Sequence, residues 1–486
     1  MADACSIGID IGTGSAKAVV FDPARGVLGR GAASYAVDTP RPGWAEQDPR
    51  GWWDAAAAAI RAAVADAQIP PAAVGTLAAS GQGAAVVLVD GRGEPLRAAL
   101  IHLDQRASSE ADSLAASAFG RAVRGASGNA VGAWNVGAKL TWLRTHEPQS
   151  LQRARGVTSA AGFLLRRLTG RLVQSTSDAG ISDLFDMRHR GWSRELLECI
   201  GLRPELLPDV APATEEVGRL VPDAAAATGL PATVRVLAGG EDTSSAALAA
   251  GIVAIGDAYL SLGTAGVVGI AVRGGTTDEP RLLSFPHVRE QIDLLSGSMS
   301  CAGAALTWWG AVTDRTPAAL LDEAEAESTE DGEVAFLPYL AGELHPVNDP
   351  GARGLFAGLS LASSRADMTR AIVEGSASAV AHNLEVATAA GAAPLRLSAT
   401  GGPTRSRLWM QAVADATGIP VEVVGDDGAA VGDAIIAASQ TDADLERLAR
   451  SHRHVSHRYD PNPDRMTQAQ DRRAATARLY AASRAR

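Results

Sequence analysis

The chain has 486 residues, 46% hydrophobic and 20% charged, with a formal net charge of −11. At roughly 150 residues per domain that length makes two or three domains, and the composition excludes wholesale disorder. No apolar run reaches the ~18 residues of a membrane helix, the start MADACSIGIDIG has no basic segment leading into an apolar one, and Lys and Arg are not gathered as a nucleic-acid binder needs. A cytoplasmic protein with neither membrane nor nucleic acid as partner is expected.

SIGIDI (6–11) and AKAVVF (16–21) read as strands joined by a Gly-Thr-Gly-Ser hairpin. From Trp52 to Ala67 the apolar residues Trp53, Ala56, Ile60 and Val64 recur at helical spacing, and Pro70-Pro71 closes the element. VGTLAAS (74–80) and AVVLVD (85–90) are further strand candidates flanking Gly81-Gln82-Gly83. Half a chain later VRVLAGG (234–240) precedes Glu241-Asp242-Thr243 and the helix-prone SSAALAAG (244–251), then AYLSLGTAGVVGIAV (258–272) repeats the strand–turn–strand opening. A duplicated α/β architecture follows, with halves at 1–237 and 238–486 and a cleft between them. Cys5, Cys199 and Cys301 stand singly, so neither a disulfide framework nor a zinc site is expected, and Cys301 reads as a small buried hydrophobe. Trp308, Trp309 and Trp409 read as core aromatics, and the Arg-rich end from Arg450 as a solvated helix.

DIGTGSAK (10–17) brings small residues, a hydroxyl at Thr13 and a carboxylate at Asp10 to one turn. It is not a Walker A loop, because Lys17 runs into a strand rather than opening a helix. Ser261-Leu262-Gly263-Thr264-Ala265-Gly266 offers a second such turn, and Ala399-Thr400-Gly401-Gly402-Pro403, ahead of a helix at 406–418, a third. Three turns of this kind favour a nucleotide. Asp242, at the C-terminal edge of a strand, is placed to accept a hydroxyl proton in phosphoryl transfer, or to cap the helix that follows; Asp10 is placed beside Mg²⁺.

In this fixed order the segments resemble the FGGY family of carbohydrate kinases, most closely its xylulokinase branch. They include IGIDIGTGSAKAVVFD, RPGWAEQDPRGWW (41–53), SGQ (80–82), DQR (104–106), AGGEDTSSAALAAG (238–251), YLSLGTAG (259–266), FLPYLAGE (336–343), GLFAGLS through RAIVEG (354–375) and GGPTRSRLWMQAVADATGIPVEVV (401–424). The resemblance implies an actin-like ATPase (ribonuclease H-like) fold closing over ATP, Mg²⁺ and a small sugar or polyol, with a homodimer common. It makes Asp242 the catalytic base and, with Asp10, the metal-associated carboxylate. It puts Gly12, Thr13, Gly14, Ser15 and Lys17 in the first phosphate hairpin and Gly263 and Thr264 in the second. Gly401, Gly402 and Arg405 fall at the adenosine turn, and Gln82, Gly83, Ala84, His102, Asp104 and Asp242 at the sugar.

The departures from the branch gather at the sugar. Gly83-Ala84 stand where Met-His is usual, His102 where Trp is, and Glu241 and Thr243 where Gly and Asn flank the base. D-xylulose is the first expectation, with other pentuloses and C4 or C5 polyols open. An actin-like motor, for which no appended peptide-binding domain is expected here, and a non-catalytic sugar sensor of the same fold remain as rivals.

Overall fold

The computed structural model describes residues 5–275, 279–327, 334–425 and 428–484; the first four residues of the start read above lie outside them. The first sheet is built from β1 (Cys5–Ile11), β2 (Ser15–Asp22), β3 (Gly26–Ser34), β4 (Val74–Gly81), β5 (Glu216–Arg219) and β6 (Arg235–Leu237), in the order β5-β6-β4-β1-β2-β3. The second holds β7 (Asp257–Leu262), β8 (Gly266–Arg273), β9 (Leu283–Pro286), β10 (Ile292–Met299), β11 (Arg396–Thr400), β12 (Val421–Val424) and β13 (Val455–Tyr459), in the order β9-β10-β8-β7-β11-β12-β13.

The two sheets share one plan. In each, a three-strand antiparallel meander (β1-β2-β3; β7-β8-β10) is extended by two parallel strands beside its first (β4, β6; β11, β12). Parallel neighbours require crossovers, and the helices that supply them cover the sheets, which is why β1 is buried along its whole length. Helix α1 (Pro49–Asp66) is one: Asp48 caps it by accepting from the Arg50 N–H, Pro49 pre-sets its first turn, and Trp52, Trp53, Ala56, Ile60 and Val64 form its buried stripe. The strand candidate at 85–90 shortens to Val87–Val89 and leaves the main sheet, pairing with Gly156–Thr158 in a separate two-stranded ribbon.

Helix α2 (Asp242–Ala249) follows β6 and begins earlier than its apolar run suggests, because Glu241 caps it by accepting from the Ser244 N–H at 3.0 Å. Asp242 is therefore its first residue and not its cap. The second half adds helices α3 (Gly303–Thr313), α4 (Arg365–Ala389), α5 (Arg407–Thr417) and α6 (Gly428–Ala438). Although α6 belongs to the second half by sequence, it lies against β1 and α2. A Cβ on Gly8 would sit 1.9 Å from the Ala430 carbonyl oxygen, and one on Gly432 1.9 Å from that of Ser245. Backbone thus meets backbone on both faces of α6, and Ser6 Oγ donates to the Ala434 carbonyl at 2.7 Å.

The Arg-rich end is a helix, Pro463–Arg484, and it docks instead of standing free in solvent: Arg472, Arg473 and Arg484 pair with Glu374, Glu385 and Asp349, and the Tyr480 hydroxyl donates to Asp349 at 2.8 Å. Trp309 and Trp409 are core residues while Trp308 is exposed, and Cys301 is buried. No helix among the described residues is long and apolar enough to cross a membrane.

Gly432→Val drives carbon into a backbone oxygen that cannot step aside, and a loss of about 1–3 kcal/mol is expected. Gly14→Ala, where nothing lies within 4 Å, serves as the control. Thermal denaturation of the two variants decides: equal midpoints would show that the α6 contact is not tight.

Candidate active site

The β1–β2 hairpin is fixed from several sides. Gly12 N–H donates to the Ser15 carbonyl at 3.1 Å, the Tyr35 hydroxyl to the Gly12 carbonyl, and Gln47 Nε2 to the Thr13 carbonyl at 2.7 Å. Gly14 and Lys17 are exposed and Thr13 and Ser15 partly so, which leaves an open small-residue turn with a lysine on its rim. The β7–β8 turn repeats the plan: Gly263, Thr264 and Ala265 are exposed, and Gly263 N–H donates to the Ala265 carbonyl at 2.9 Å. Gly401 (φ 98°) lies so close to it that a Cβ would come within 2.0 Å of the Leu262 carbonyl oxygen. The second hairpin and the 401–405 turn are thereby one surface, with Gly402 and Arg405 exposed on it.

At the same, C-terminal end of β1 a set of carboxyls converges beside the hairpin. Asp10 is 6% exposed, and its bond from Ser80 Oγ is long at 3.4 Å. Burial, and then the Asp242 carboxylate, push it up to about 7 against the pull of Lys17. Thr243 Oγ1 donates to Asp242 Oδ1 at 3.0 Å, which leaves the other carboxylate oxygen for a ligand. Glu241 is buried beside Asp242; burial, and then that neighbouring carboxylate, hold it well above the usual carboxylate range. Asp433 of α6 accepts from Ser245 Oγ at 2.7 Å, and burial raises it too, with Asp10 and Asp242 adding to the effect.

Several buried polar atoms of the first half lack partners, among them Gln82 Oε1, His102 Nδ1, Asp178 Oδ1 and Asp183 Oδ2, and the Asp242 carboxylate acts on His102 and Asp178. Leaving such atoms unpaired is costly, and the hydroxyls of a ligand are one chemistry that satisfies them. Burial raises Asp178 and Asp183 to about 6, and burial lowers His102 against the pull of Asp242. Ala84 takes a left-handed φ of 55°, and its carbonyl accepts from the buried Lys139 Nζ at 2.8 Å. Burial lowers that lysine to about 7 against the carboxylates Asp104 and Asp183. Gln82 Nε2 donates to Gln47 Oε1 at 2.8 Å, so the acceptor shell is tied to the first hairpin through Gln47.

Asp104 does not share this openness. Its carboxylate accepts from Ala45 N–H at 2.7 Å and from Arg106 through the main-chain N–H, Nε and Nη2, and the guanidinium in turn lies 3.7 Å over the Trp44 ring. Its lone pairs are spent on holding Arg106. Lys139, Asp178, Asp183 and Asp433 were not singled out from sequence. Asp433 had a signal, a lone carboxylate inside the apolar run GAAVGDAIIAA, whereas Asp178 and Asp183 sit in an ordinary-looking polar stretch.

A Mg²⁺ ion fits Asp10. A buried carboxylate with one long hydrogen bond, beside a second carboxylate, is short of positive charge, and Mg²⁺ characteristically takes one or two carboxylates while phosphates and water complete its shell. Without Mg²⁺, Asp10 keeps its proton in the folded chain up to about pH 7, while in the unfolded chain it loses it near 3.8. Its contribution to stability therefore falls as pH rises through that window. Asp10→Asn should gain thermal stability relative to the parent progressively from about pH 4 to 7 in metal-free buffer; a constant offset across that range would refute the buried-acid reading.

The family follows from direct comparison. Residues 5–249 match the N-terminal domain, and 258–441 the C-terminal domain, of the FGGY family of carbohydrate kinases. The chain is 33% identical over 482 residues to a xylulose kinase of Escherichia coli K12, covering 98% of each. Two crystal structures superpose on nearly its full length: a xyloylose kinase from Brucella ovis (TM-score 0.93, 32% identity, 99% of each chain) and a xylulose kinase from Rhodospirillum rubrum (0.90, 31%, 98% of each). The chain belongs to the FGGY family of carbohydrate kinases. It is a phosphotransferase with an alcohol as acceptor, and its two-sheet plan is the actin-like ATPase fold.

Proposed function

We propose that this kinase phosphorylates a ketopentose, D-xylulose in the first place, at its terminal hydroxyl, giving xylulose 5-phosphate and ADP. The observation that carries the reading is Asp242 at the first turn of α2, one oxygen held by Thr243, with His102 and Asp178 of the first half, each with an unpartnered buried atom, near enough to feel its charge. The identity to xylulose kinases over nearly the whole length supports the choice of sugar. The chain divides near Ala238, the sugar resting mainly on the first half.

In this reading the exposed amides and hydroxyls of Gly12–Ser15 and of Gly263–Thr264, with Lys17, hold the phosphates of ATP, and Gly401, Gly402 and Arg405 hold its nucleoside. Asp10, with Asp242 near it, holds Mg²⁺, whose charge offsets that of the transferring phosphoryl group. Gln82, His102 and the Gly83-Ala84 turn line the sugar, and Asp104 acts at one remove by fixing Arg106. Asp242 orients the attacking hydroxyl. The hydroxyl oxygen bonds to the γ-phosphorus as the β–γ bridging bond breaks, and Asp242 takes the proton. Because that transition state is loose, alignment rather than base strength supplies most of the rate.

ADP release from Mg²⁺–ATP across D- and L-xylulose, D- and L-ribulose, glycerol and erythritol tests the substrate, with D-xylulose expected to lead and silence across the panel overturning the reading. Asp242→Asn keeps the shape and removes the proton acceptor. Its kcat should fall by about 10³-fold or more while ATP still binds in a calorimetric titration; turnover like the parent's would remove Asp242 from the role of base.

A further inference from the structure

Two positions far apart in sequence meet at the acceptor site. A Cβ on Gly83 would lie 3.1 Å from Glu241 Oε1 and 3.3 Å from Ile181 Cγ1. The backbone does not ask for glycine there, since Gly83 is not among the residues of positive φ, whereas its neighbour Ala84 is, at 55°. The residue in the left-handed conformation carries a side chain, and the residue without one has no conformational need to lack it. What Gly83 provides is space. Glu241 fills it: Oε2 is engaged as the helix cap by the Ser244 N–H, and Oε1 is the oxygen turned toward Gly83. Capping alone is better served by Ser, Thr, Asp or Asn, so the longer acid is not explained by the helix end.

We propose that Glu241 is a specificity-determining residue of the acceptor site: seated in the room that Gly83 leaves open, its carboxyl hydrogen-bonds the acceptor hydroxyl on the carbon next to the one that is phosphorylated. The placement follows from its neighbour. Glu241 immediately precedes Asp242 at the start of α2, so when the Asp242 oxygen not held by Thr243 takes the attacking hydroxyl, the carboxyl beside it reaches the vicinal one. A side chain at position 83 would cover Oε1 and remove that contact. A site that hydrogen-bonds a hydroxyl discriminates strongly against an acceptor that presents it wrongly or lacks it.

This rests on the sugar-kinase reading, and the test separates the two. The parent is assayed first with D-xylulose and L-ribulose, which are epimers at C4, and with 4-deoxy-xylulose. Turnover of none of these sugars would be the failure of the substrate reading, and Glu241 would go with it. Given turnover, the parent should separate the C4 epimers by at least about tenfold in kcat/KM. Glu241→Gly, which still tolerates the cap position, should collapse that ratio toward one, chiefly through the acceptor KM. Gly83→Met should do the same, and the double variant should lose less than the product of the two single losses. Glu241→Gln, able to cap and to hydrogen-bond, should retain most of the discrimination, with thermal midpoints confirming that all variants are folded. If the Glu241 variants lower kcat/KM equally for both epimers and the deoxy sugar, or if the double variant is strictly multiplicative, Glu241 is a structural cap and the proposal is wrong.

Discussion

The contact on which the molecule depends is the seating of α6 between β1 and α2. Gly8 and Gly432 let the helix approach on both faces to a distance no side chain permits, and Ser6 and Ser245 add hydrogen bonds to it. β1 carries Asp10 next to its last residue and α2 begins at Asp242, so one close-packed helix fixes the strand that carries one carboxylate against the helix that carries the other. Since α6 comes from the far end of the chain, neither half can complete this arrangement alone. Interiors packed to this density transmit displacements rather than absorbing them, so the spacing of the two acids is a property of the whole fold.

Around that axis the site is crowded with buried acids. Asp10, Asp178, Asp183, Glu241 and Asp433 are all buried acids raised chiefly by desolvation. Such a concentration is unfavourable for the empty protein, and it resembles the strain commonly held at functional sites. Hydroxyls and a cation are the ligands that relieve it.

Much of this was legible in the residues. The β1–β2 and β7–β8 hairpins, the strand before Asp242 and the turn at Gly401 are written in local signals: β-prone runs, Gly-Thr turns and a switch to helical spacing. What was not legible depends on partners distant in sequence. Asp104 reads as an open sugar ligand until Ala45 and Arg106 are seen to occupy it. The terminal arginines read as a solvated face because Glu374, Glu385 and Asp349 lie about a hundred residues away. Gly83 and Glu241 each stood out as unusual, but that one vacates the space the other fills is a fact of three dimensions.

The thread Gln82–Gln47–Thr13 runs from the acceptor shell to the phosphate hairpin through two hydrogen bonds, and Trp52 Nε1 steadies its middle by donating to Gln47 Oε1 at 3.1 Å. Gln82 keeps one oxygen unpaired at the end proposed for the sugar. A sugar bound there as proposed would hold the amide, and through Gln47 the carbonyl of Thr13 at the other pole. Such coupling is reciprocal by thermodynamic necessity: whatever affinity a bound sugar adds for the nucleotide, the nucleotide returns to the sugar in equal measure, and synergy between the two substrates is then carried by side chains that touch no reacting atom.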